Sequence, residues 1–225
     1  MTVILVLITF VAFLVIDHFY SKRHAVQPIL VEARASSEQV REPRLQPSVV
    51  AGFQVPDNVR YHPGHTWALS ESPNLVRVGI DDFAGKLLGK IENLALPQRG
   101  QWIRQGQKML SIERNGVKVD MASPIEGSVT DINEAVVQNP EMARQDPYGE
   151  GWLITVQAPD AKTNFRNLLG GVLVSRWMEE CAFRLASTMP KSAATMADGG
   201  LVSPDLAKQI PSDKYLAIVN EFFLC

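Results

Sequence analysis

The sequence predicts a mainly β fold, a small antiparallel barrel or sandwich, carrying an N-terminal transmembrane helix and a C-terminal helical extension. Three observations carry this. Short alternating runs such as Leu75–Ile80, Leu110–Glu113 and Val117–Ala122 are separated by Gly- and Pro-rich turns, the spacing of small antiparallel β domains. The first residues, Thr2 to Ile16, are apolar apart from two threonines. Beyond Gly170, apolar residues recur at helical spacing.

Composition narrows the function. The chain has 225 residues and a formal net charge of -2, so no basic field points to nucleic acid. Cys181 and Cys225 belong to no CxxC or Cys/His cluster, which leaves a disulfide framework or a zinc site without support. No Ser/His/Asp order, phosphate loop or HExxH pattern is present.

Thr2 to Tyr20 makes about 28 Å of helix, close to the thickness of a bilayer core. No Lys or Arg precedes it and no A-x-A pattern follows, so an uncleaved anchor is preferred over a cleaved signal peptide. Lys22 and Arg23 flank its end, which places the bulk of the chain in the cytoplasm. The expected address is the inner or plasma membrane, crossed once by residues 2–20. Residues 1–22 form the anchor. Residues 23–54, with mixed charge and Pro28, Pro43 and Pro47, read as a solvated tether, within which Ile29 to Val40 could form a short helix. The β domain spans 55–169 and the helical extension 170–225.

Within the domain, Arg60 to Leu69 leads into a strand, and Leu75–Ile80 alternates as a second strand. Asp81 is placed to cap a short helix through Leu88. A strand is expected from Gly89 to Pro97, Trp102–Ile103 is a short apolar run, and Ser128–Ile132 and Trp152–Val156 supply the last strands. Asn139 to Gln145 reads as a loop or one helical turn. The most informative stretch is Ser111 to Val129. Asn115-Gly116 sits between two alternating runs and signals a two-residue type I′ hairpin, in which both central residues need positive φ. In the extension, Val174, Trp177, Met178, Cys181, Leu185 and Met189 predict a helix from Leu173 to Thr188. Lys191 to Gly200 reads as a loop, and Pro211-Ser212 opens a second helix. Both helices are expected to pack on the domain or on each other, with a partner-docking surface as the sharper alternative.

Several of these stretches, in order, resemble the H-protein of the glycine cleavage system. His65-Thr66-Trp67 resembles the family's His-Glu-Trp. Val78-Gly79-Ile80-Asp81-Asp82-Phe83-Ala84, followed by Leu88-Gly89, resembles its Val-Gly-Ile-Thr-Asp-Tyr-Ala and Leu-Gly. Leu96-Pro97 with Gly100, Ser123-Pro124 with Gly127, Asn133-Glu134-Ala135, and Asp146 through Ile154 continue the match over residues 61–169, about half of the chain. The resemblance implies a barrel-sandwich hybrid, two small sheets packed face to face. It also implies a lipoyl-bearing lysine at the tip of the hairpin, whose arm does the chemistry while the protein positions it.

The departure lies at that tip. Aligned without a gap, the family lysine falls on Gly116, which has no amine to acylate. Lys118 is the nearest lysine, two residues and about 6–7 Å along the strand; the plainer reading makes it a solvated strand residue. His62 and His65 have metal-like spacing but no adjacent acidic or thiol ligands in sequence, so a structural role is preferred and no metal is expected. Asp81-Asp82 reads as a helix cap rather than an acid/base pair. Thr66 stands where the family has glutamate.

The chain therefore reads as a non-enzyme: a membrane-tethered H-protein-like module that binds or scaffolds an unnamed protein partner and needs no cofactor. The alternative is a lipoyl carrier of glycine cleavage that uses Lys118 and hence lipoate. An export-pump adaptor is a second alternative, disfavoured by the absence of a heptad-patterned insertion and by Lys22-Arg23.

Overall fold

A computed structural model of the chain describes residues 48–189 and 202–223. The expected anchor, most of the tether with its possible helix at Ile29 to Val40, the loop at Lys191 to Gly200 and Cys225 all lie outside the described residues. Among the described residues no helix is long and apolar enough to cross a membrane.

The described chain opens on strands β1 (Val49–Val50) and β2 (Phe53–Gln54), which pair antiparallel. Both lie within the stretch read from sequence as tether. Phe53 is fully buried and packs at a tilt against Phe83, with 4.9 Å between ring centroids, so ordered packing starts before Val55. The charged and Pro-rich composition upstream hid this short apolar pair.

Strands β3 (Arg60–His62), β4 (Thr66–Ser72) and β5 (Leu75–Ile80) follow, then helix α1 (Asp82–Leu88). The next strand, β6, is only Asn93–Ala95, shorter than the expected Gly89–Pro97. Gly89 adopts φ 66° as the residue ending α1, which keeps the start of that stretch out of a strand. Then come β7 (Trp102–Ile103), β8 (Lys108–Arg114), β9 (Val117–Ala122) and β10 (Gly127–Ile132). Two short helices, α2 (Glu134–Gln138) and α3 (Met142–Gln145), lead to β11 (Ile154–Gln157) and α4 (Ala161–Arg166). The extension forms α5 (Val172–Thr188), a 3-10 turn (Leu206–Gln209) and α6 (Ser212–Phe222), so both expected C-terminal helices are present.

Six strands form one sheet in the order β3-β4-β5-β11-β10-β7, and three form another, β6-β8-β9. The pairings are antiparallel throughout. A single core joins the sheets: Trp67, Val78 and Ile154 of the larger and Ile112, Val119 and Met121 of the smaller belong to one buried cluster. Thr66 fixes their junction, since its Oγ1 donates to the Ala122 carbonyl across the sheets at 2.9 Å. Trp67 lies in the middle and is fully buried. Its indole N–H is shared between the Ile80 carbonyl at 2.8 Å and the Pro147 carbonyl at 3.1 Å, which removes the penalty of burying that donor.

The strand-period reading of β8 holds only in part. Leu110 and Ile112 are buried as expected, but so are Met109 and Ser111. Ser111 is covered because its hydroxyl donates to Asp120 Oδ1 at 2.6 Å, while Lys108 closes on the other oxygen of the same carboxylate at 2.6 Å.

Candidate functional site

The hairpin of β8 and β9 projects the tip singled out by sequence. Its register pairs Ser111 with Asp120, Ile112 with Val119, Glu113 with Lys118 and Arg114 with Val117, leaving Asn115-Gly116 as a two-residue turn. Their φ values are 48° and 75°, as a type I′ turn requires and as Asn-Gly adopts with little strain. Both residues are exposed. A Cβ built on Gly116 would meet nothing within 4 Å. A side chain at this position would therefore reach into open space, away from the body.

The tip presents no amine at that position. Lys118 is exposed and lies opposite Glu113, while Val119 is buried, so the lysine stands on the solvent face of β9. Asp120, on the same face, has its carboxyl held below the usual range. Partial burial opposes this, but the hydrogen bonds from Lys108 and Ser111 outweigh it. The hairpin thus offers a charged outer face and a bare turn, and Gly116 does not fit covalent attachment of a lipoyl arm.

Below the tip the chain is tied down. Arg114 turns inward, and its Nη1 donates to the Leu88 carbonyl at 2.6 Å and contacts Asp205 Oδ1 at 3.2 Å. The guanidinium also sits 5.7 Å from the Tyr215 ring centroid. Tyr215 donates its hydroxyl to the same Leu88 carbonyl at 3.2 Å, and burial pushes its phenol up to about 12. Asp205 precedes the 3-10 turn and Tyr215 lies on α6, so the extension clamps the hairpin at the strand end beside its turn. Gly89 leaves room for this clamp, because a Cβ there would run into the Arg114 guanidinium and the Asp205 carboxylate. Sequence reasoning missed this clamp. An arginine ending a strand and an aspartate about ninety residues later carry no spacing signal that pairs them.

A second buried constellation surrounds His65. The residue has φ 60°, and its Nδ1 lies 2.8 Å from Asp81 Oδ2. Asp81 also accepts the Ala84 N–H at 2.8 Å and so caps α1. His65 stacks on Phe83 at 4.2 Å and 12°, with Trp177 at 4.7 Å on α5 and the edges of Phe222 and Phe223 at 6.2 and 5.8 Å. Its Nε2 is buried without a hydrogen-bond partner. Burial alone would lower its pKa, but the Asp81 carboxylate and the neighbouring Cys181 thiol outweigh burial and raise it to about 9. The raised value favours the protonated imidazole, and the faces of Phe83 and Trp177 lying against it in this cage suit a cation.

The other sequence candidates serve the fold. His62 Nδ1 accepts the Gly64 N–H at 3.0 Å inside the β3–β4 turn. Burial first, and then the charge on His65, keep its pKa below the ordinary value. Asp82 pairs with Lys86 at 2.6 Å and accepts the Gln54 N–H at 2.7 Å, anchoring β2 to α1. Cys181 is a buried free thiol.

Comparison with known proteins adds the following. The family model described as glycine cleavage H-protein matches residues 59–180. A glycine cleavage system H protein of Coprothermobacter proteolyticus is 37% identical over 108 residues, which cover 48% of this chain and 85% of that protein. One from Prochlorococcus marinus is 34% identical over 124 residues, covering 55% of this chain and 95% of the relative. The crystal structure of a glycine cleavage system H protein from Mycobacterium marinum aligns with a TM-score of 0.47 at 26% identity, covering 56% of this chain and 98% of that one. The matched region takes in the hairpin and most of α5 but stops before the 3-10 turn and α6.

Proposed function

Since this chain belongs to the glycine cleavage H-protein family, we propose that it is a membrane-tethered member that carries no lipoyl arm at its hairpin tip and acts by binding a protein partner. The family is one of lipoyl carriers rather than enzymes, and this chain is not itself an enzyme. The observation that carries the reading is Gly116. The position that would present an amine is a glycine at φ 75° in open space, and a fold match does not restore a missing acceptor. The partner-facing surface in this reading is the charged outer face of the hairpin, with Glu113, Lys118 and the Lys108–Asp120 pair. The clamp from the extension holds that face in one position.

The tether is residues 2–20, which place the protein in the inner or plasma membrane as a single-pass protein with its domain in the cytoplasm. Apolar length and Lys22-Arg23 support this part of the proposal. The alternative is a working carrier. Lys118 is exposed and engages in no ion pair among the described residues, so its amine is accessible to a modifying enzyme.

One experiment separates the two. The full chain is purified from detergent-solubilised native membranes, its intact mass is recorded, and its peptides are mapped. An unmodified mass together with a co-purifying protein supports the binding reading. A lipoyl adduct on Lys118 overturns it in favour of the carrier. Recovery of the chain in the soluble fraction, without detergent, removes the tether.

A further inference from the structure

The hairpin tip carries a reactive group of its own. Asn115 is the one asparagine of the chain followed by glycine. Its side-chain amide makes no hydrogen bond among the described residues, and the following Gly116 N–H makes none either. The only polar contact of this turn that the structure holds is through the Asn115 backbone N–H, which donates to Glu92 Oε2 at 2.8 Å. The two residues are exposed, and no side chain or backbone stands within 4 Å of where a Gly116 Cβ would be. Nothing shields the turn from water, and nothing holds the Asn115 amide away from the chain nitrogen that follows it.

We propose that Asn115 is a self-modification site, at which the turn converts its asparagine to aspartate and isoaspartate without an enzyme. The Gly116 backbone nitrogen, after losing its proton to a solvent base, attacks Cγ of Asn115. The N–Cγ bond forms, the Cγ–Nδ2 bond breaks, and ammonia leaves, closing a five-membered succinimide. Bulk water then adds to one of the two ring carbonyls and opens the ring. The net change is one water consumed and one ammonia released, with no oxidant or reductant. Opening at one carbonyl gives aspartate. Opening at the other gives isoaspartate, in which the main chain runs through the former side chain.

Glycine at 116 is what makes the step accessible. Any side chain there would crowd the attacking nitrogen, and the absence of neighbours lets the turn leave its resting geometry to bring nitrogen and Cγ together. Asparagine is the thermolabile partner in such a pair. The rest of the hairpin is protected by contrast, because β8 and β9 are paired to their ends and Arg114 is fastened to Leu88 and Asp205.

The product changes the face that a partner would meet. A carboxylate appears at the tip, next to Glu92, which already accepts from the Asn115 N–H, and two residues from Glu113. Like charges at such range repel. The isoaspartyl form also lengthens the main chain by one atom, so a two-residue turn no longer closes the Arg114–Val117 pair in the same register. The tip therefore matures from neutral to acidic as the protein ages, whether or not an arm is attached at Lys118.

The test uses the full chain in detergent. Fresh protein is held in mildly acidic and in mildly alkaline buffer, digested, and mapped by mass, with an isoaspartate-specific methyltransferase as the probe for the rearranged form. The expected result is a gain of about 1 Da confined to the peptide bearing Asn115, methyl acceptance by that peptide, and faster conversion in the alkaline sample. Asn115→Gln reduces both signals to background while the urea unfolding midpoint falls only by the small cost of a left-handed glutamine. The same chain unfolded in urea is the reference. If the folded protein keeps its Asn115 amide over the time in which the unfolded chain loses it, the turn protects rather than promotes the step and the proposal fails. It fails equally if the mass gain survives in Asn115→Gln.

Discussion

The bare hairpin turn and the packed contacts behind it obey different rules. At the tip, Asn115 and Gly116 touch almost nothing. One residue before the turn Arg114 is already fastened to the extension, and three residues down either strand Ile112 and Val119 lie in the core to which α5 and α6 contribute. The tip is shaped by backbone preference alone: two positive φ values, met by the residue pair that adopts them cheaply. The root, meaning the packed contacts behind the turn, is shaped by long-range partners: Arg114 with Leu88 and Asp205 at the end of β8, and His65, in the β3–β4 turn, with Asp81, Phe83, Trp177 and Phe222. Chemistry can change freely at the tip. At the root each change strands a buried polar group.

The largest effect is expected where that stranding is worst. Asp81→Ala removes the partner of a fully buried His65 and the cap of α1 in one step. Breaking a buried pair from one side costs about 3–5 kcal/mol, so urea unfolding should shift by that order. A loss below about 1 kcal/mol, the worth of a helix cap alone, would mean that the cage does not depend on the ion pair and that root and tip are more alike than the contacts suggest.

Proton linkage at the same cage comes next. His65 rises from 6.5 to about 9 in the folded protein. A raised folded pKa contributes stability that is whole below 6.5 and is lost as pH climbs through 9. Between those values unfolding free energy should fall by at most about 1.4 kcal/mol per pH unit. His62 is shifted downward, so it titrates beneath this window and does not mask it. His65→Asn suits the comparison because asparagine tolerates positive φ. That variant should show a flat profile over the same range, and a slope equal to that of the unaltered protein would place the titrating group elsewhere.

Much of this division was visible before any coordinates. The Asn-Gly turn, the Asp81 cap and the first helix of the extension, expected from Leu173 and found from Val172, all follow from local pattern. The clamp and the cage do not. Arg114, Asp205 and Tyr215 are far apart in sequence, and each has an ordinary local explanation as a strand end, a loop acid and an apolar helix position. His65 resembled a loop histidine because its aromatic walls come from three separate segments, two of them in the extension. Short β1 and β2 were hidden by charged and Pro-rich residues just before them. Local rules encode the tip; only tertiary packing defines the root.

A smaller effect is expected from Arg114→Ala, which keeps the turn but cuts the clamp. The variant leaves the Leu88 carbonyl with the Tyr215 hydroxyl and Asp205 with Lys208, at 3.3 Å. With those partners remaining, the loss should be about 1.5–3 kcal/mol, the range for a hydrogen bond to a charged group. A double-mutant cycle with Asp205→Ala isolates the direct pair, and a coupling energy indistinguishable from zero would reduce the clamp to packing of Arg114 on Tyr215.

The smallest stability effect and the sharpest functional one meet at Gly116→Lys. The left-handed conformation costs a residue with a Cβ about 1–2 kcal/mol, and no neighbour adds a clash, since the space around the position is open. The protein should therefore fold, unfold at slightly lower urea, and present an amine at the hairpin tip. Incubation with a lipoate ligase then asks whether the site lacks only its nucleophile. Acylation of Lys at 116, with Lys118 unmodified in the same molecule, would show that the surrounding hairpin still has the shape a modifying enzyme reads and that a single side chain separates this chain from carriage. Refusal by the ligase, in a variant that folds with the expected small penalty, would locate the barrier in the fixed root instead: a hairpin clamped through Arg114 cannot yield to the enzyme, and the double variant Gly116→Lys with Arg114→Ala should then accept the arm.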